Sequence, residues 1–141
     1  MLIGEYYHNI DSKGRHSIPA KFRDDLGGTF VLSRGLDNCL YAYSVSEWNS
    51  FKDELLAMRG HDAQKIRRFF FSGATECEID SQGRAVIPPG YREYASLEKE
   101  VTIVGVSNRA EIWNRAKWEE YINDSAFDSA EIAKAMENMG F

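Results

Sequence analysis

The 141-residue chain reads as a mixed α+β fold: two pseudo-symmetric halves wound into one barrel-like domain with short flanking helices. Three observations lead there. The nonapeptide DSKGRHSIP at 11–19 returns as DSQGRAVIP at 80–88, with six of nine positions identical. The likeness continues outward, pairing Ile10 with Ile79, Phe22 with Tyr91 and Arg23 with Arg92. After a one-residue insertion it also pairs Tyr43, Trp48 and Phe51 with Trp113, Trp118 and Tyr121. No Gly/Ser/Pro linker divides the halves, and about 50 residues make a marginal core alone, so one intertwined domain is expected.

Each half follows one plan. Alternating apolar and polar residues over Glu5–Ile10 and Thr75–Ile79 predict a first strand. Asp-Ser-x-Gly then predicts a turn with positive φ at Gly14 and Gly83. Short strands follow at Arg15–Ile18 and Arg84–Ile87, and Pro19 and Pro88 each open a brief helix, since proline suits a first helical turn. In the first half that helix stops near Gly27-Gly28.

Next, TFVLSRG and CLYAYSV, joined by Leu36-Asp37-Asn38, predict a hairpin. EVTIVGV and RAEIWN, joined by Ser107-Asn108, predict its counterpart. Ser46 is expected to cap SEWNSFKDELLAM, where Trp48, Phe51, Leu55 and Leu56 recur at helical spacing, and RAKWEEYIND repeats the pattern with Trp118 and Tyr121. HDAQKIRRFFFSG predicts a helix running into the next strand, and the segment after Asp124 a weakly anchored terminal helix. The division is a first half at 5–49, a connecting helix at 50–73, a second half at 74–119 and an acidic tail at 120–141.

Composition sets the class. Apolar residues make up 43% and charged residues 28%, as in an ordinary globular protein, and no 18-residue apolar run exists to cross a membrane. MLIGEYYHN carries neither a basic region nor a small-residue cleavage site, and Cys39 and Cys77 lack CxxC spacing. Free buried thiols in a reducing cytoplasm are therefore expected. The net charge of −5 is concentrated: from Glu119 onward six acidic residues stand against Lys134 alone, leaving residues 1–118 neutral. Residues 8–23 are locally positive, with Lys13, Arg15, Lys21 and Arg23 against Asp11. An anionic partner is thus permitted, because the local field governs a contact.

The nonapeptide admits two readings. Asp11 and Asp80 can accept backbone hydrogen bonds, and Gly14 and Gly83 can take the left-handed conformation, which is enough for a structural turn. Arg15 and Arg84 are not needed for that. An arginine held by the aspartate across a tight turn suits bidentate contact with phosphate or with guanine O6 and N7. A solvated hairpin with a surface ion pair of little energetic value is the alternative.

Other classes fare worse. His8, His16 and His61 are scattered without metal-ligand spacing, and no G-x-S-x-G, Walker A or G-x-G-x-x-G is present. Asp11 and Asp80 as an acid/base couple would need one protonated member, whereas each has an arginine four residues on that favours the ionised form. For a pure interaction module the candidate surface is Phe69–Phe71, which burial explains better, as it does Trp48, Trp113 and Trp118.

At DSKGRHSIPAKFR and DSQGRAVIPPGYR, supported by GLDNCLYAY, RRFFFSGATECEID and NRAEIW, the chain resembles the MraZ proteins over residues 1–121. These are bacterial regulators with two AbrB-like halves and an Asp-x-x-x-Arg signature in each. The resemblance implies a swapped-hairpin β-barrel, a ring-shaped homo-oligomer and neither catalysis nor cofactor. It implies double-stranded DNA as partner: short direct repeats in the promoter of the division and cell-wall gene cluster, including the regulator's own gene. A cytoplasmic, nucleoid-associated location follows, without membrane or small-molecule substrate. Carried over, the DNA-binding residues are Asp11, Lys13, Gly14 and Arg15 in the first motif and Asp80, Gly83 and Arg84 in the second. The chain departs at His16, where an apolar residue is usual, and at Gln82, which leaves Lys13 without a basic counterpart.

Overall fold

The order strand, strand, helix, strand, strand, helix occurs twice in the computed structural model, which describes residues 1–141. The first round is β1 (Leu2–Asn9), β2 (Arg15–Ser17), α1 (Ala20–Leu26), β3 (Thr29–Arg34), β4 (Leu40–Ser44) and α2 (Val45–Ala57). A connecting helix α3 (Ala63–Ser72) leads into β5 (Ala74–Glu78), β6 (Arg84–Val86), α4 (Pro89–Tyr94), β7 (Glu100–Ser107), β8 (Ala110–Asn114) and α5 (Arg115–Ile122). A 3₁₀ turn at Ser125–Phe127 precedes α6 (Ser129–Asn138).

The halves are laced together. An antiparallel six-stranded sheet runs β1–β7–β8–β4–β3–β5, and β2 pairs with β6 in a separate two-stranded ribbon. Only the hairpins β3–β4 and β7–β8 pair within a half. The first strand of each half pairs with the other's hairpin: Leu2↔Ser107 through Asn9↔Glu100, and Thr29↔Glu78 through Ser33↔Ala74. Two pairings join equivalent strands, β4 with β8 about Tyr41↔Glu111 and β2 with β6 about His16↔Ala85. Both central pairs match residues that the repeat itself equates, so a pseudo-twofold axis passes through them. Gly105 makes the β1–β7 seam possible, because a Cβ there would lie 2.4 Å from the Ile3 backbone nitrogen.

Strands β4 and β8 are buried on both faces, which is why they lack clean alternation. Leu40, Ala42, Ala110 and Ile112 join a 17-residue core with Phe22 and Leu26 of α1, Phe30, Leu32, Val101 and Ile103 of the sheet, and Ile18, Ala85 and Ile87 beside the ribbon. Tyr41, Tyr43 and Trp113 face the other way, into an aromatic cluster with Leu55, Phe70 and Trp118. Phe70 is buried there while Phe69 and Phe71 are half-buried, so the aromatic triplet is largely core. Cys39 and Cys77 are both buried and free.

The cap of α2 differs from expectation. Ser44, not Ser46, accepts a hydrogen bond from the Glu47 N–H at 3.1 Å. Ser44 ends β4 with extended backbone, as an N-cap requires, whereas Ser46 already lies inside the first turn. Asn114 plays the same part for α5, accepting from the Lys117 N–H at 3.0 Å. Helix α6 starts at an Asp128 cap and is exposed along its length. Its attachment comes through Phe127, whose ring lies 6.4 Å from Trp118 and 5.3 Å from Tyr121. No helix is long and apolar enough to cross a membrane.

Candidate nucleic-acid interface

Both nonapeptides form the turn their residues specify. In the first, the Gly14 N–H donates to the Asp11 carbonyl at 3.0 Å with Gly14 at φ +79°, and the Asp11 N–H donates to the Arg15 carbonyl at 2.9 Å. Asp11 Oδ1 accepts from the N–H groups of Lys13 and Arg15 at 2.9 and 3.0 Å. Its other oxygen accepts from Arg15 Nε at 2.6 Å. One carboxylate thus closes the turn and fixes the guanidinium by its inner nitrogen.

The second turn repeats this with one difference. Gly83 sits at φ +76°, its N–H donates to the Asp80 carbonyl at 2.9 Å, and Asp80 Oδ1 accepts from the N–H groups of Gln82 and Arg84 at 2.8 and 2.9 Å. Arg84 Nε lies 3.5 Å from Asp80 Oδ2, an ion pair without a hydrogen bond. Arg84 is therefore held less tightly than Arg15.

The ribbon brings the two turns together. Arg15 pairs with Val86, His16 with Ala85 and Ser17 with Arg84. Directly opposed residues share a face, so Arg15, Ser17, Arg84 and Val86 line one side and His16 and Ala85 the other. Burial agrees: His16 and Ala85 are each 2% exposed, while the two arginine side chains remain about a third exposed. Two residues of stagger set the arginines about 7 Å apart along the strands. The Nη nitrogens of Arg15 and Arg84 bond no protein group and are left for an outside acceptor. Each turn also buttresses the other half, since the Ile18 N–H donates to the Gly83 carbonyl and the Ile87 N–H to the Gly14 carbonyl, both at 2.9 Å.

The electrostatics favour the ionised form of both aspartates. The Arg15 N–H, aided by its guanidinium and the Lys13 N–H, holds the Asp11 carboxyl down at about 2. The N–H of Arg84, with that of Gln82, lowers Asp80. Both are acceptors at neutral pH, consistent with arginine holders and not with an acid/base couple. Beneath the ribbon, burial pushes the His16 imidazole down to about 4, so it stays neutral. No three His, Cys, Asp or Glu side chains cluster in a way that holds a metal ion. Lys13 is exposed at the tip of the first turn, and Gln82 takes its place in the second.

Two residues outside the expected set pack against the same turns. Arg23 of α1 lies against Gly83 and Arg92 of α4 against Gly14. The repeat had marked them as equivalent, which was the available signal, but sequence spacing does not place either one over the opposite turn.

Comparison with known proteins extends the likeness beyond these motifs. The family model described as "MraZ protein, putative antitoxin-like" matches twice, over residues 1–69 and 70–139. The second match runs past Ser125, so the similarity expected to stop before the tail includes it. The chain is 53% identical to the "Transcriptional regulator MraZ" of Alkaliphilus metalliredigens (strain QYMF) over 99% of both chains. It is 54% identical to the protein of that name in Alkaliphilus oremlandii (strain OhILAs), also over 99% of each. With that of Halothermothrix orenii it shares 51% over the same coverage. Two family matches that together span nearly every residue, and identities near one half along the whole length, leave one assignment: the chain belongs to the MraZ family.

Proposed function

We propose that this chain is a sequence-specific DNA-binding transcriptional regulator that reads DNA with the β2–β6 ribbon and has neither catalysis nor cofactor. The observation that carries the reading is the pair of guanidinium groups on one exposed ribbon face, each directed by an aspartate with its Nη nitrogens free. A two-stranded ribbon fits the major groove, about 12 Å wide, where an arginine fork pairs with guanine O6 and N7. Lys13 adds a phosphate contact at the first turn, and Gly14 and Gly83, at positive φ, shape the turns that present the two arginines. The relatives' name, transcriptional regulator, supports the same role.

The finer reading follows the family likeness. The targets are short direct repeats in the promoter of the division and cell-wall gene cluster, including this chain's own gene. Subunits assemble into a ring that aligns many ribbons on tandem repeats, in the cytoplasm at the nucleoid. Sheet and ribbon both contribute to the 17-residue core, which supports reading them as walls of a swapped-hairpin barrel. A gel-shift titration with the DNA upstream of the chain's own gene tests this. Retardation at lower protein concentration than a scrambled duplex needs is the expected result, and equal affinity for both would overturn it.

A further inference from the structure

Arg23 and Arg92 occupy matching places in the two halves, four residues after Pro19 and Pro88, and each crosses to the motif turn of the other half. A Cβ built on Gly83 would fall 2.3 Å from Arg23 Cζ and 2.5 Å from its Nη2. One built on Gly14 would fall 3.1 Å from Arg92 Cζ and 3.2 Å from its Nε. The glycine in each motif therefore does two jobs: it takes positive φ, and it leaves room for a guanidinium lying flat on the turn.

We infer that Arg23 and Arg92 bind DNA phosphates beside the bases read by those turns, so that each DNA-contacting corner is assembled from both halves. The inference rests on the reading that the ribbon face meets DNA. One corner holds Lys13 and Arg15 from the first half with Arg92 from the second, and the other holds Arg84 from the second with Arg23 from the first.

Three observations support it. Neither Arg23 nor Arg92 has a carboxylate partner, although Asp24 and Asp25 follow Arg23 in sequence. Asp25 is engaged by the N-terminal amine, and Arg23 Nε donates to the Ile18 carbonyl at 2.9 Å instead. Arg92 Nε is buried and bonds nothing. Arg23 is thus anchored but not neutralised, and Arg92 lies against Gly14 with its guanidinium unpaired, which leaves both for an anion. Second, both side chains start from helices flanking the ribbon, where an inserted ribbon would meet the sugar-phosphate backbone and not base edges. Third, the corners differ in charge: Lys13, Arg15 and Arg92 outnumber Asp11 by two, whereas Arg84 and Arg23 outnumber Asp80 by one. The corner with Arg92 is the stronger electrostatic anchor.

The test is fluorescence anisotropy with the full chain, its own upstream duplex and a scrambled duplex across a series of salt concentrations. Arg23→Gln and Arg92→Gln should each reduce the slope of log K against log salt by roughly 0.9 per phosphate released. Both should weaken the two duplexes by the same factor and keep the preference between them. An unchanged slope in folded variants would overturn the inference. A wild-type chain with no preference would instead overturn the reading beneath it. Because Arg23→Gln removes a bond to Ile18, phenylglyoxal labelling of the unmodified wild type provides a second measurement. Bound duplex should protect Arg23 and Arg92 while Arg59, just beyond the C-terminal end of α2, stays reactive. Equal labelling with and without DNA, in a complex that still forms, would refute the assignment.

Discussion

Arg15 and Arg84 stand on one exposed face of the β2–β6 ribbon, staggered by two places about the His16–Ala85 pair. Their side chains extend outward from a framework built by backbone bonds to Asp11 and Asp80. Removing either guanidinium therefore leaves the turn closed. Arg15→Ala and Arg84→Ala should each lose about 1–3 kcal/mol of operator binding and relax sequence preference, with thermal unfolding close to wild type. Unchanged affinity in a folded double variant would refute the assignment.

The turns themselves depend on glycine. At φ +79° and +76°, Gly14 and Gly83 occupy backbone that costs another residue about 1–2 kcal/mol. A Cβ at Gly14 would also sit 2.9 Å from the Ile87 carbonyl oxygen. Gly14→Ala should lower stability by at least that amount in urea unfolding and weaken DNA binding with it. A wild-type midpoint would show that the turn relaxes without strain.

Acid should destabilise the fold through His16. Its pKa falls from 6.5 to about 4 on burial, so between those values the unfolded chain binds more protons than the folded one. Stability is then full above pH 6.5 and declines as pH drops toward 4, by an amount on the order of 3 kcal/mol. Asp11, lowered to about 2, adds loss in the same direction only below its ordinary value of 3.8. Urea midpoints measured across this range should flatten in His16→Leu. Equal slopes in variant and wild type would assign the acid sensitivity elsewhere.

A lone subunit offers few contacts, and small footprints bind DNA in the micromolar range. Joining subunits in a ring raises effective concentration on tandem repeats. Light scattering should find oligomers wherever binding is tight. Monomers that retain tight binding would refute the ring.

The tail carries the excess negative charge. Deleting residues 125–141 removes Asp128, Glu131 and Glu137 with Lys134, a change of +2, and also takes Phe127 from Trp118 and Tyr121. Truncation should raise scrambled-DNA affinity at low salt and keep operator preference, because like charge repels the phosphate backbone within about 10 Å at 0.1 M salt. Some loss of melting temperature should accompany it. A scrambled-DNA affinity that does not move at low salt would mean the tail acts by packing alone.

What the sequence disclosed follows from the range of the forces involved. The motif turns, the hairpins and the helices are set by neighbours: Gly14 needs only its own φ, and Tyr41 and Tyr43 only the β preference of their segment. Strand β1 starts at Leu2, earlier than the alternation from Glu5 suggests, because pairing with β7 extends it through Gly4 at φ +97°. Ser44 and Ser46 are equally good caps, and the end of β4 decides between them. Arg23 over Gly83 is a contact between residues 60 positions apart in different halves, which no local pattern encodes.

The seam between β1 and β7 also sets a timetable. Leu2 leaves the ribosome ahead of its partner Ser107, which comes more than a hundred residues later. At roughly 5–20 residues per second, the opening strand waits on the order of 5–20 s before its neighbour exists. Ile3 and Tyr7 stay exposed even after pairing, so during that wait the strand presents apolar side chains and unpaired backbone together. Birth on the ribosome, more than the finished fold, is where this chain is most open to mispairing, and where a nascent-chain chaperone has something to hold.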